Sequence, residues 1–96
     1  MKIITIYGFD TCSYFYKACI YAAILKKHKL CSEYEIKSFP SRQEYHDSLR
    51  TLCQLNSFEH NTSPLVVDSD GTYIGGCDSL QDILQQNDIF YNEGIR

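Results

Sequence analysis

The chain's five cysteines hold most of its capacity for chemistry, and Cys12 has the most telling position among them. The stretch Tyr7-Gly8-Phe9-Asp10-Thr11-Cys12-Ser13-Tyr14-Phe15-Tyr16 follows a β-branched run from Ile3 that reads as a strand. A Gly-containing turn comes next, and a helical apolar pattern begins immediately after the cysteine. A cysteine at a helix start meets unpaired backbone N–H groups and the positive end of the helix dipole, both of which favour a thiolate over a thiol. Sulfur so placed suits nucleophilic or metal-binding work. The plainer role for the residue is a small buried apolar side chain.

The remaining cysteines, Cys19, Cys31, Cys53 and Cys77, form no Cys-x-x-Cys and no close Cys/His pairing of a zinc site, and the total is odd. Free thiols in a reducing compartment fit this pattern better than a secreted disulfide framework. A net charge of −3 argues against a nucleic-acid surface, which needs clustered Lys and Arg. No apolar run approaches the length of a signal region or a membrane span. These features predict a single cytoplasmic domain over residues 1–96, large enough to bury a core without metal or disulfide staples.

The elements that must position Cys12 follow from hydrophobic periodicity. Residues 2–7 are apolar nearly throughout, as in a strand covered on both faces. Phe15, Ala18, Cys19, Ala22, Ala23 and Leu25 recur at helical spacing, and Lys26, Lys27, His28 and Lys29 bring positive charge to the helix C-terminus. Glu33 to Phe39 reads as a second strand, parallel to the first after this crossover. Ser41 with Glu44 forms a capping-box pattern, and Tyr45, Leu49, Leu52 and Cys53 make the buried stripe of a helix to about Asn56, with His46 off it. Leu65-Val66-Val67 and Thr72-Tyr73-Ile74 read as a hairpin around Asp68-Ser69-Asp70-Gly71. Gly75-Gly76 breaks that ladder, and Cys77-Asp78-Ser79 opens a last helix carrying Leu80, Ile83 and Leu84, which fades after Asn87; the tail Tyr91 to Arg96 has no strong pattern. The predicted order is β-α-β-α-β-β-α, an α/β fold with a central four-stranded mixed sheet flanked by helices. Such sheets carry ligands at the carboxyl ends of their strands, where Cys12 sits.

With those residues in that order, the chain resembles a glutaredoxin from about residue 2 to residue 88. Tyr7-Gly8 with Thr11-Cys12-Ser13-Tyr14-Phe15 looks like the family's active-site loop, Thr62-Ser63-Pro64 like its Thr-Val-Pro, and Ile74-Gly75-Gly76-Cys77-Asp78-Ser79-Leu80 like its Gly-Gly-Cys-Asp-Asp-Leu stretch. The resemblance implies a thioredoxin-like fold, glutathione as cosubstrate and Cys12 as the catalytic nucleophile. It implies a cis bond before Pro64 and a glutathione site from Thr11, Cys12, Tyr14, Thr62, Ser63, Pro64, Gly76, Cys77 and Asp78. In that site the backbone of Ser63 takes the cysteinyl part of glutathione, and the Cys77 and Asp78 N–H groups take its γ-glutamyl carboxylate.

Two departures shape the implied chemistry. The position of the family's second active-site cysteine is Phe15, so the resemblance implies a monothiol route through a Cys12–glutathione mixed disulfide. Cys19 lies about 10 Å further along the helix, beyond disulfide reach. The family's lysine three residues before the reactive cysteine is Phe9 here, and Asp10 adds a negative charge beside it that opposes a thiolate. Lys17 is placed to compensate, and Arg50 or His60 to receive the glycine carboxylate of glutathione.

The leading expectation is a glutathione-dependent monothiol thiol-disulfide oxidoreductase acting on glutathionylated or disulfide-containing proteins. It is a monomer without contact to nucleic acid or membrane. A second reading is a carrier of a glutathione-ligated [2Fe-2S] cluster shared by the Cys12 residues of a dimer. A third is a catalytically weak thioredoxin-fold binding module, suggested by Phe9, Asp10 and the eight tyrosines, several of them around the groove.

Overall fold

A computed structural model describes residues 3–89; the expectations for residue 2 and for the tail Tyr91 to Arg96 lie outside them. The elements are β1 (Ile3–Phe9), α1 (Ser13–Lys27), β2 (Glu33–Phe39), α2 (Arg42–Asn56), β3 (Leu65–Asp68), β4 (Tyr73–Gly75) and α3 (Cys77–Gln86). They form one four-stranded mixed sheet in the order β2-β1-β3-β4. β1 runs parallel to β2 with Ile3 opposite Glu33 and Phe9 opposite Phe39, and antiparallel to β3 with Tyr7 opposite Leu65. β3 and β4 pair antiparallel across an irregularity between Val66 and Val67.

β1 lies between two strands and under helices on both faces, which explains its continuous apolar run. On one face Ile4, Ile6 and Val66 join Phe15, Ala18, Ala22 and Leu25 of α1 and Leu80 and Leu84 of α3 in the larger core cluster. On the other, Phe9 and Leu65 meet Tyr45 and Leu49 of α2. Alternation along β1 splits these two cores, because successive side chains leave a strand on opposite faces.

Two boundaries differ from the sequence reading. Gly8 and Phe9 belong to β1 rather than to a turn, and the bend falls at Asp10 and Thr11. Gly8 stays in the strand because a Cβ there would overlap the Phe15 ring of α1, so only a glycine lets strand and helix approach. Gly75 likewise does not break the ladder. It pairs with Val66 at the end of β4, and Gly76 alone turns the chain into α3 as its N-cap.

The capping of α2 follows the sequence pattern. Ser41 Oγ accepts a hydrogen bond from the Glu44 N–H at 3.2 Å, and Ser57 ends the helix in the left-handed region with φ 58°. In the hairpin turn, Asp68 Oδ1 accepts from the N–H groups of Asp70 and Thr72, at 2.9 and 3.1 Å.

Candidate functional site

β1 delivers the chain to Asp10, whose N–H donates to the Phe39 carbonyl at 2.9 Å and ties the bend to the end of β2. The Cys12 N–H then donates to the Phe9 carbonyl at 3.0 Å, closing a tight turn that leaves Cys12 as the N-cap of α1. Its backbone is extended there, with φ −89° and ψ 117°, and its sulfur makes no capping hydrogen bond. Cys12 is half-buried, and its thiol donates instead to the Ser63 carbonyl, with Sγ 3.8 Å from the oxygen.

That contact joins segments 51 residues apart. The Ser63–Pro64 peptide bond is cis, as the resemblance implies, and Pro64 is buried at the start of β3. Gly76 stands beside it: an added Cβ would lie 3.4 Å from the Pro64 carbonyl oxygen and 3.7 Å from His60 Cε1. Cys12, Ser63-Pro64 and the Gly75-Gly76 corner therefore share one end of the sheet.

Tyr45 and His60 brace this arrangement. The Tyr45 hydroxyl, on the buried face of α2, donates to the Thr62 carbonyl at 2.6 Å. Burial raises its phenol pKa, the Cys12 and Cys53 thiols push the same way, and the nearby Ser63 hydroxyl works against them. The phenol thus stays a donor. The Ser63 hydroxyl is itself buried beside that phenol, out of line for a good hydrogen bond. His60 Nε2 lies 2.8 Å from the Pro64 carbonyl and its Nδ1 2.8 Å from the Tyr73 hydroxyl. A carbonyl only accepts, so Nε2 carries the hydrogen, and in the neutral ring Nδ1 accepts from Tyr73.

The other expected residues divide. Thr62 belongs to the site through its carbonyl and through a hydroxyl 3.4 Å from His60 Nε2. Asp78 is exposed in the first turn of α3, at the positive end of that helix. The Cys77 side chain points into the larger core and takes no part at the surface. Thr11 is exposed in the bend. Tyr14 is 57% exposed on the outside of α1 with Lys17 Nζ 5.6 Å from its ring centroid.

Positive charge reaches the neighbourhood from α2. The Arg42 guanidinium carbon sits 5.5 Å from the centroid of the Phe9 ring, so a cation lies over the position where the resemblance expects a lysine. His46, Arg50, Cys53 and His60 line a cavity of about 540 Å³ between α2 and the loop before Pro64. His46 is half-buried there, edge-on against the Tyr45 ring. Of the two groups considered for a carboxylate there, His60 has both ring nitrogens engaged. Arg50 has only a loose, exposed pairing with Asp47 at 3.9 Å.

Sequence reasoning placed Tyr45 in the core without a role in the site. The signal was its hydroxyl, since a buried tyrosine must find an acceptor. Arg42 carried no signal, because its approach to Phe9 depends on how α2 packs across the sheet.

No disulfide links any of the five cysteines. The described residues contain no cluster of three or more His, Cys, Asp or Glu fit to hold a metal ion, and no helix long and apolar enough to cross a membrane. No protein-family model matches the chain, and no curated protein matches it.

Proposed function

We propose that the chain is a glutathione-dependent monothiol thiol-disulfide oxidoreductase with a thioredoxin-like fold, working in a reducing compartment such as the cytoplasm. The observation that carries this reading is the 3.8 Å approach of Cys12 Sγ to the Ser63 carbonyl. A sulfur at the end of an extended, proline-led backbone segment is where a cysteinyl peptide can lie strand-like and meet a nucleophile.

The chemistry runs in two exchanges. The Cys12 thiolate attacks the glutathionyl sulfur of a protein–glutathione disulfide; that S–S bond breaks, the protein leaves as a thiolate and is protonated by solvent. Cys12 now carries glutathione. The thiolate of a second glutathione attacks the same glutathionyl sulfur, releasing glutathione disulfide and restoring Cys12. Position 15 offers no thiol, and Phe15 is buried in the core, so no internal disulfide competes with the second exchange. Gly76 leaves room for a backbone beside Pro64, the start of α3 favours the γ-glutamyl carboxylate, and Arg50 serves the glycine carboxylate.

The test is reaction with oxidised glutathione followed by mass mapping, with a glutathione-coupled disulfide assay in parallel. One adduct on Cys12, and activity lost in Cys12→Ala, is the expected result. No adduct at Cys12 and no turnover would leave a binding module in place of an enzyme.

A further inference from the structure

β2 and β4 are the two edges of the sheet, but they are not alike. β4 has three residues, whereas β2 has seven and runs the full length of β1, and among the described residues no strand lies on its outer side. Short strands and charged residues are the usual protection of an edge. Here the charges come as a matched pair, Glu35 and Lys37, on either side of Ile36.

The faces of β2 are set by its neighbours. Tyr34 packs on the α1 side and Phe39 on the α2 side, so Tyr34, Ile36 and Ser38 face α1 while Glu35 and Lys37 face the other way. Ile36 is nevertheless 48% exposed. Lys26 Nζ pairs with Glu33 at 2.9 Å and lies 6.0 Å from the Tyr34 ring centroid, so the C-terminal end of α1 sits beside the start of β2. An exposed apolar side chain thus sits at the middle of the open edge, between two opposite charges.

We propose that β2 is a self-association surface, pairing antiparallel with β2 of a second copy about a two-fold axis normal to the sheet and centred on Ile36. That axis keeps both α1 helices on one face. It sets Ile36 opposite Ile36, and Glu35 of each copy opposite Lys37 of the other. Registers centred on Tyr34, Glu35 or Lys37 oppose like charges, and one centred on Ser38 opposes no unlike ones. Only the Ile36 register pairs opposite charges without setting like charges against each other. Neither Glu35 nor Lys37 has an ion-pair partner among the described residues. The two sheets become one continuous sheet, and the Cys12 residues fall at its opposite ends, both open. The pairing is independent of what Cys12 does.

The experiment is sedimentation equilibrium of the full chain up to millimolar concentration, with circular dichroism to check folding. The wild type should show a monomer–dimer equilibrium. Glu35→Lys and Lys37→Glu, both at exposed positions, should each weaken association by about tenfold or more by placing like charges opposite one another. Mixing these two variants should restore association as a heterodimer, as should combining both changes in one chain, and Ile36→Lys should abolish it from the centre. A wild type monomeric throughout, or a dimer indifferent to both charge reversals, would overturn the proposal.

Discussion

The Phe15 ring of α1 occupies the space that a side chain on Gly8 of β1 would fill. The helix that presents Cys12 is therefore seated on its strand through a glycine and an aromatic ring matched to one another.

Gly8→Ala should destabilise the fold by about 1–3 kcal/mol, since the obstruction is the stem and near edge of a buried ring rather than a mobile tip. Phe15→Ala should cost about 3–5 kcal/mol through the cavity it opens. The double variant should cost clearly less than the sum, because the new methyl enters the vacated space. Urea unfolding of the four proteins measures the cycle; strict additivity would show that the two residues do not meet. The same packing bears on Phe15→Cys, which supplies a thiol at the position the resemblance reserves for one but hollows the larger core.

The cysteines should react with iodoacetamide in an order set by exposure. Cys12 is half-buried at the surface, whereas Cys31 is 2% exposed and burial pushes its thiol pKa up. Burial also raises Cys19. In the native protein near neutral pH, Cys12 should be labelled at least about tenfold faster than Cys31. Peptide mapping after limited labelling gives the order, and early modification of Cys31 would contradict the packing beneath α1.

Tyr45 should tie stability to pH on the alkaline side. Its phenol pKa is raised in the folded protein, so the unfolded chain releases that proton first as the pH rises. The stabilisation is complete below the ordinary tyrosine value of about 10 and is lost progressively above it. Tyr45→Phe should remove this part of the alkaline decline and lower stability near neutral pH by about 1 kcal/mol, with the loss of the hydrogen bond to Thr62. Thermal unfolding from pH 7 to about 11 separates the two effects. An unchanged alkaline slope would mean that Tyr45 is not the group responsible.

Periodicity and capping made most of the fold legible. The apolar run of β1, the helical spacing after Cys12 and the Ser41–Glu44 cap are local signals, and each lies where the residues put it. The glycines misled because their use here is close approach rather than turning: Gly8 makes room for Phe15, and Gly75 still pairs with Val66. The convergence of Cys12, Ser63 and Gly76 was expected only through the resemblance, since nothing local links residues so far apart. The bracing by Tyr45 and His60, and Arg42 over Phe9, arise from the way α2 and the following loop cross the sheet. The exposure of β2 has the same origin: edge or centre is a property of strand order, which no stretch of seven residues encodes.

Cys12 holds the N-cap of α1 without capping it, its sulfur turned to Ser63 instead. A serine hydroxyl at that position is among the best acceptors for the open N–H groups of a helix start. Cys12→Ser, which would silence the site on the proposed reading, should therefore give the sturdier protein, melting higher than its parent. The proposed chemistry and robustness are thus opposed at one atom of this chain, and holding sulfur there leaves a helix end unfinished.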